Sequence, residues 1–193
     1  MRNDIICFIP ARKKSSLKNK NMLKIDNKPL IYYTLNSAKN SKYIKDTYVS
    51  SDSLEIQNYS KKFNVKVLKR PKKLALSSSK GYEVISHFVK KNISLIKNKS
   101  LLILQPTSPL RKTSHINKAI NLHYKNKHKP IISVKKIDNK FLKGLIFNKK
   151  GLIPLENGRF VQENRQSLPK IFLPNGAIFL FSIKDFKKSN KIP

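Results

Sequence analysis

Apolar residues along this chain fall into two alternating rhythms. Ile5, Ile6, Cys7, Phe8 and Ile9 form an unbroken run, short enough for a strand buried on both faces, and Pro10 cannot continue its ladder. Leu30, Ile31, Thr34, Leu35 and Ala38 then recur at helical spacing, predicting an amphipathic helix over 29–41 with Pro29 in its first turn. The alternation continues with a strand over 47–49, a helix from a capping box of Asp52 and Glu55 to about residue 63, and a strand over 65–68. Ile85, Phe88, Val89, Asn92 and Ile96 share a face of a helix over roughly 81–97. A strand over 101–104, a helix marked by Ile116, Ala119, Ile120 and His123, and a strand over 130–134 follow.

Strands alternating with helices imply crossover units and a mainly parallel sheet, hence an α/β fold. The rhythm breaks over 138–172, where Gly144, Gly151, Pro154, Gly158 and Pro169 separate short apolar pieces. That stretch reads as an excursion of small strands and turns, suited to a subunit contact. Pro174, Asn175 and Gly176 are expected to turn the chain into a last strand over 177–181, with a short polar helix from Lys184. A chain of 193 residues fits one substantial core, so a single domain over 1–193 is expected.

Charge adds a question. Forty-two Lys and Arg against 10 Asp and Glu give a formal charge of +32, a field that attracts polyanions. The lysines are spread through every segment, without the basic stripe interleaved with aromatics that nucleic-acid readers use. A specific nucleic-acid partner is therefore not expected. No stretch approaches the length of a membrane span, and the first residues lack the apolar core of a signal peptide. The one cysteine, Cys7, lies inside an apolar run, which fits a reducing, cytoplasmic setting.

Candidate chemistry sits at the ends of the predicted strands. After Pro10 comes a loop rich in cations and hydroxyls: Arg12, Lys13, Lys14, Ser15, Ser16, Lys18, Asn19, Lys20 and Asn21. In open α/β sheets ligands bind beyond the carboxyl ends of the strands, so this loop is placed to hold an anion. In so basic a chain it also fits a merely solvated segment, since it contains no glycine for close backbone approach.

Four segments together resemble one family, the acylneuraminate cytidylyltransferases, over nearly the whole chain. They are I-P-A-R at 9–12 with K-N at 20–21 and K-P-L-I at 28–31; V-S-S-D at 49–52 with R-P at 70–71; L-Q-P-T-S-P-L-R at 104–111; and N-R-Q-S-L-P at 164–169 with P-N-G-A-I-F at 174–179. The resemblance implies a Rossmann-like, three-layer nucleotidyltransferase fold. It also implies a cytoplasmic homodimer that joins a nine-carbon keto-sugar acid, sialic acid or a related nonulosonic acid, to CMP from CTP, releasing pyrophosphate. By the matching positions, Arg12 and Lys20 act on the triphosphate as the catalytic cations, and Ser15 and Lys18 belong to the same nucleotide loop. Asn21 and Arg70 take the nucleoside end, Gln105 takes the bound sugar or the nucleotide, and Asn175 takes substrate. Arg165 and Gln166 match a substrate-closing segment that a neighbouring subunit often lends.

The chain departs from that family in three places. Ser16 and Leu17 stand where a Lys and a Gly are usual, Ser77 stands where an Asp is common, and the aspartate pair that holds Mg2+ would follow the last residue. Mg2+ is implied by the resemblance while its usual ligands are absent from this sequence. Two other expectations compete with an active cytidylyltransferase: an inactive remnant of the fold, and a basic protein that binds nucleic acid.

Overall fold

Side chains alternate across a strand, and in the first strand that alternation assigns Ile5, Cys7 and Ile9 to one buried layer and Ile6 and Phe8 to another. The computed structural model describes residues 4–14, 17–149, 151–189 and 191–192. Its elements run β1 (Ile5–Pro10), β2 (Lys24–Ile25), β3 (Lys28–Pro29), α1 (Leu30–Lys39), β4 (Ile44–Ser51), α2 (Leu54–Lys61), β5 (Lys66–Lys69) and α3 (Gly81–Ile96). They continue with β6 (Ser100–Ile103), α4 (Thr113–Lys125), β7 (Ile131–Ile137), β8 (Leu145–Asn148), β9 (Gly151–Pro154), β10 (Ile171–Ser182) and α5 (Ile183–Ser189).

The chain divides into two compact units, residues 1–133 with 176–193, and residues 134–175. The main sheet has the order β5-β4-β1-β6-β10-β7. β5, β4, β1 and β6 are parallel neighbours, and β10 is antiparallel to β6. α1, α2 and α4 pack Ile31, Leu35, Ile56, Ile116 and Ile120 against Ile5, Cys7 and Ile9. α3 and α5 pack Ile85, Phe88, Val89 and Phe186 against Ile6 and Phe8 on the opposite face, where the Phe8 and Phe88 rings lie 4.6 Å apart. This is the mainly parallel α/β sheet that the alternating pattern predicts, in the three layers that the resemblance implies.

Local chemistry corrects three expectations. α2 is capped by Ser53, whose hydroxyl accepts the Ile56 N–H at 3.5 Å, while the Asp52 carboxylate instead accepts the Lys13 N–H at 2.8 Å. Pro29 is the residue before the first turn of α1 rather than within it. Before it, β2 and β3 form a small hairpin around Asp26 and Asn27, both at positive φ as a tight two-residue turn requires. Finally, Pro174, Asn175 and Gly176 do not turn the chain ahead of a short strand. They lie inside the twelve-residue β10, where Gly176 alone takes a positive φ, +74°.

In the unit 134–175, β8 and β9 pair as an antiparallel hairpin. β8 is exposed along its length, with Phe147 at 79 %, and Leu152 of β9 is 65 % exposed. Asn139 Nδ2 donates to the carbonyls of Arg165 and Leu168, which ties the turn at 139–143 to the turn at 165–167.

Candidate active site

The parallel order 5-4-1-6 brings three strand ends and their loops to one edge of the first unit. Beyond them lies a cavity of about 360 Å3, within the size range of small-molecule sites, roughly 300–1,000 Å3. Its floor is apolar, from Phe8, Val84, Ile85, Ile103 and Phe179. Its polar rim comes from Arg12 and Lys20 after β1, Arg70 after β5, Ser77 and Ser79 before α3, and Gln105 and Thr107 after β6. Three cations and no carboxylate appear in that lining, so the cavity suits a multiply charged anion with an apolar or aromatic portion.

The loop after β1 is held by side chains that sequence spacing does not reveal. Arg12 Nη1 donates to the Leu76 carbonyl at 2.7 Å, and buried Asn21 donates from Nδ2 to the Arg12 carbonyl at 2.9 Å. Two acids, Asp52 just before α2 and Glu55 in its first turn, anchor the same loop: Asp52 accepts the Lys13 N–H, and Glu55 Oε2 accepts from Asn19 Nδ2 at 2.9 Å. These contacts fix the course of the loop backbone. Lys18 is exposed and outside the cavity lining, and Ser15 lies outside the described residues.

Arg70 is only 5 % exposed. Its Nε donates to Ser50 Oγ at 3.2 Å and its Nη2 to the Ser50 carbonyl at 2.8 Å. Burial pushes its pKa down to about 10, with Asp52 opposing the shift and Arg12 adding to it. A guanidinium desolvated at a cavity wall, with Ser50 its neutral hydrogen-bond partner among the described residues, suits an anion.

Arg111, at the end of the 104–111 segment, was not singled out by sequence reasoning. It too is 5 % exposed, and its pKa is pushed down to about 10 by burial. Its Nη1 donates to the Gln105 and Ala177 carbonyls at 3.1 and 2.8 Å, and its Nη2 to Thr34 Oγ1 at 2.6 Å. Two prolines and a terminal Arg after an apolar strand were the available signal, but apart from Gln105, six residues away, its partners Ala177 and Thr34 lie 66 and 77 residues away in sequence.

Arg12, Lys20, Asn21, Arg70 and Gln105 therefore line one cavity. Arg165 and Gln166 line another, of about 710 Å3, within the unit 134–175, together with Lys136, Asp138, Asn139 and Lys170. There Arg165 Nη2 approaches Asp138 Oδ2 at 3.5 Å, and Asp138 is held below the usual carboxylate range by the Lys140 N–H first and by Arg165 after it. Asn175 closes that unit in β10. The described residues do not fit Mg2+: the ion wants oxygen ligands, and among those residues no carboxylate lines the first cavity and no three His, Cys, Asp or Glu side chains converge. No helix among the described residues is long and apolar enough to cross a membrane.

Comparison with known proteins shows the fold and the family. The solved structure of CMP:2-keto-3-deoxy-manno-octonic acid synthetase complexed with CTP superposes with a TM-score of 0.74 at 15 % identity, covering 99 % of this chain and 79 % of that one, which shows the fold. The N-acylneuraminate cytidylyltransferase of Escherichia coli is 32 % identical over 186 residues, 93 % of this chain and 42 % of that protein. Post-translational flagellin modification protein B of Campylobacter coli is 31 % identical over 199 residues, 97 % of this chain and 81 % of that protein. The chain spans about two fifths of the length of the N-acylneuraminate cytidylyltransferases it matches. A sequence profile described as cytidylyltransferase matches residues 6–153, from the first strand to the β8–β9 hairpin, which includes all the cavity's polar residues named above; the chain belongs to the cytidylyltransferase family.

Proposed function

We propose that the chain transfers the cytidylyl group of CTP to the anomeric hydroxyl of a nine-carbon keto-sugar acid, sialic acid or a related nonulosonic acid. The observation that carries this reading is the convergence of Arg12, Lys20 and Arg70 on one carboxylate-free cavity with an apolar floor. The cations suit a triphosphate and the floor suits a base and ribose. In the reaction, the sugar oxygen forms a bond to the α-phosphorus and the bond from that phosphorus to the leaving pyrophosphate breaks. The hydroxyl proton passes to water or to the pyrophosphate. Negative charge grows on the leaving group, so catalysis is chiefly positioning and charge neutralisation, which Arg12 and Lys20 supply. Arg70 and Asn21 serve the nucleoside end, and Gln105 meets substrate with its carboxamide. Arg165, Gln166 and Asn175, from the unit 134–175, serve the sugar acid, and Ser15 and Lys18 complete the nucleotide loop.

The same proposal has residues 1–193 acting as one nucleotidyltransferase domain in the cytoplasm, as a homodimer that buries the exposed apolar surface of β8 and β9, including Phe147 and Leu152. Calorimetric titration of the intact chain with CTP, UTP, GTP and ATP at low and moderate salt tests the nucleotide assignment. Preference for CTP that survives moderate salt supports it. Equal affinity for all four, lost together in salt, indicates adhesion by net charge and removes it.

A further inference from the structure

Gly176 stands inside β10 with φ +74°, and a Cβ added there would lie 2.9 Å from Gln105 Oε1 and 3.6 Å from Gln105 Cδ. The first distance is shorter than a side-chain carbon tolerates, so something would have to shift. The main chain is poorly placed to yield. One nitrogen of the buried Arg111 guanidinium binds both the Gln105 and the Ala177 carbonyls, and the other holds Thr34 of α1. That clamp fixes the end of β6 against β10 at the residue next to Gly176. The strain of an added methyl would therefore fall on the Gln105 carboxamide, the free end of a side chain that lines the cavity.

We infer that Gly176 is a positioning residue: its missing side chain sets the orientation of the Gln105 carboxamide on the cavity wall. A carboxamide presents one acceptor and two donors, so its rotation decides which hydroxyl, amide or carbonyl of a bound substrate it can meet. The catalytic consequence rests on the proposed function; the placement of the side chain does not. Left-handed backbone by itself also favours glycine, and the test separates the two causes.

The side-chain NH2 resonances of Gln105, assigned in the intact 15N-labelled chain by their loss in Gln105→Ala, report the placement directly. Gly176→Ala is expected to move them. It is also expected to lower kcat/KM for cytidylyl transfer by about three- to tenfold, the scale of one hydrogen bond, and to lower it no further in a Gln105→Ala background. Should Gly176→Ala not fold, Gly176→Asn adds the same Cβ to a residue that tolerates positive φ. Should neither fold, Gln105→Ala is expected to restore folding. Unmoved resonances, losses that multiply in the double variant, or failure of Gln105→Ala to rescue folding would overturn the inference. Moved resonances in a chain that performs no cytidylyl transfer would keep it and refute the proposed function instead.

Discussion

Arg70→Met separates a binding role from a structural one, because the two predict opposite changes in stability. Burial lowers the Arg70 pKa from 12.5 to about 10, which corresponds to about 3 kcal/mol by which the folded state disfavours the charged form. The unfolded chain holds the proton more tightly, so this cost is fully present below pH 10 and is relieved only as pH rises toward the unfolded value. Removing the guanidinium also removes its two hydrogen bonds to Ser50, worth about 1 kcal/mol each, but the Ser50 carbonyl keeps the Ala11 N–H at 2.9 Å. Methionine retains most of the apolar stem. The nucleotide-free variant should therefore match or exceed the wild type by up to about 2 kcal/mol, raising Tm by zero to about 6 °C in a chain of this size. Its affinity for CTP should fall about ten- to hundredfold, from the loss of a charge-assisted contact worth about 1.5–3 kcal/mol. Thermal melts with and without CTP, paired with calorimetry, read both quantities. A Tm lowered by more than about 5 °C with CTP affinity intact would show that Arg70 serves the fold alone.

Arg12→Ala and Lys20→Ala should each weaken CTP binding about tenfold or more and reduce its salt dependence, measured by titration at two ionic strengths. Phe147→Glu and Leu152→Glu should each shift the chain toward monomer in sedimentation; a monomeric wild type at working concentration would remove the dimer. His123 is fully buried, its Nδ1 facing the Lys129 carbonyl at 2.8 Å and its Nε2 the Ser100 hydroxyl at 2.9 Å, and burial holds its pKa below the usual histidine value. The unfolded chain then binds the proton more readily, so stability is complete above about pH 6.5 and falls as pH drops below it. His123→Gln should flatten that acid limb in melts across pH 4.5–7.5, with His87, whose pKa burial also lowers, supplying the remainder.

What was legible in the sequence was what depends on neighbours along the chain. The apolar run at 5–9 and the helical stripe at 85, 88, 89 and 96 carry their burial in their own spacing, and both appear as β1 and the inner face of α3. The placement of Arg12, Lys20 and Arg70 at strand ends followed from topology once the alternation was read. Competition and distance limited the rest. Asp52 and Ser53 are both good helix caps, and Lys13, reached from another strand end, decides between them. Asp26 and Asn27 carried a hairpin signal that two-residue strands are too short to announce. The Arg111 clamp and the contact between Gly176 and Gln105 join residues far apart in sequence, and no local pattern encodes them.

In the proposed function, the cavity bearing Arg12, Lys20 and Arg70 moves a cytidylyl group onto a nonulosonic acid. Incubating the intact chain with CTP, Mg2+ and N-acetylneuraminate, legionaminic acid or pseudaminic acid, and following phosphorus by 31P NMR, tests it most directly. A new phosphodiester signal and an equal amount of pyrophosphate are expected with at least one of these acids, both abolished in the combined Arg12→Ala, Lys20→Ala variant. Conversion unchanged in that variant, or none with any of the three acids despite selective CTP binding, would contradict it.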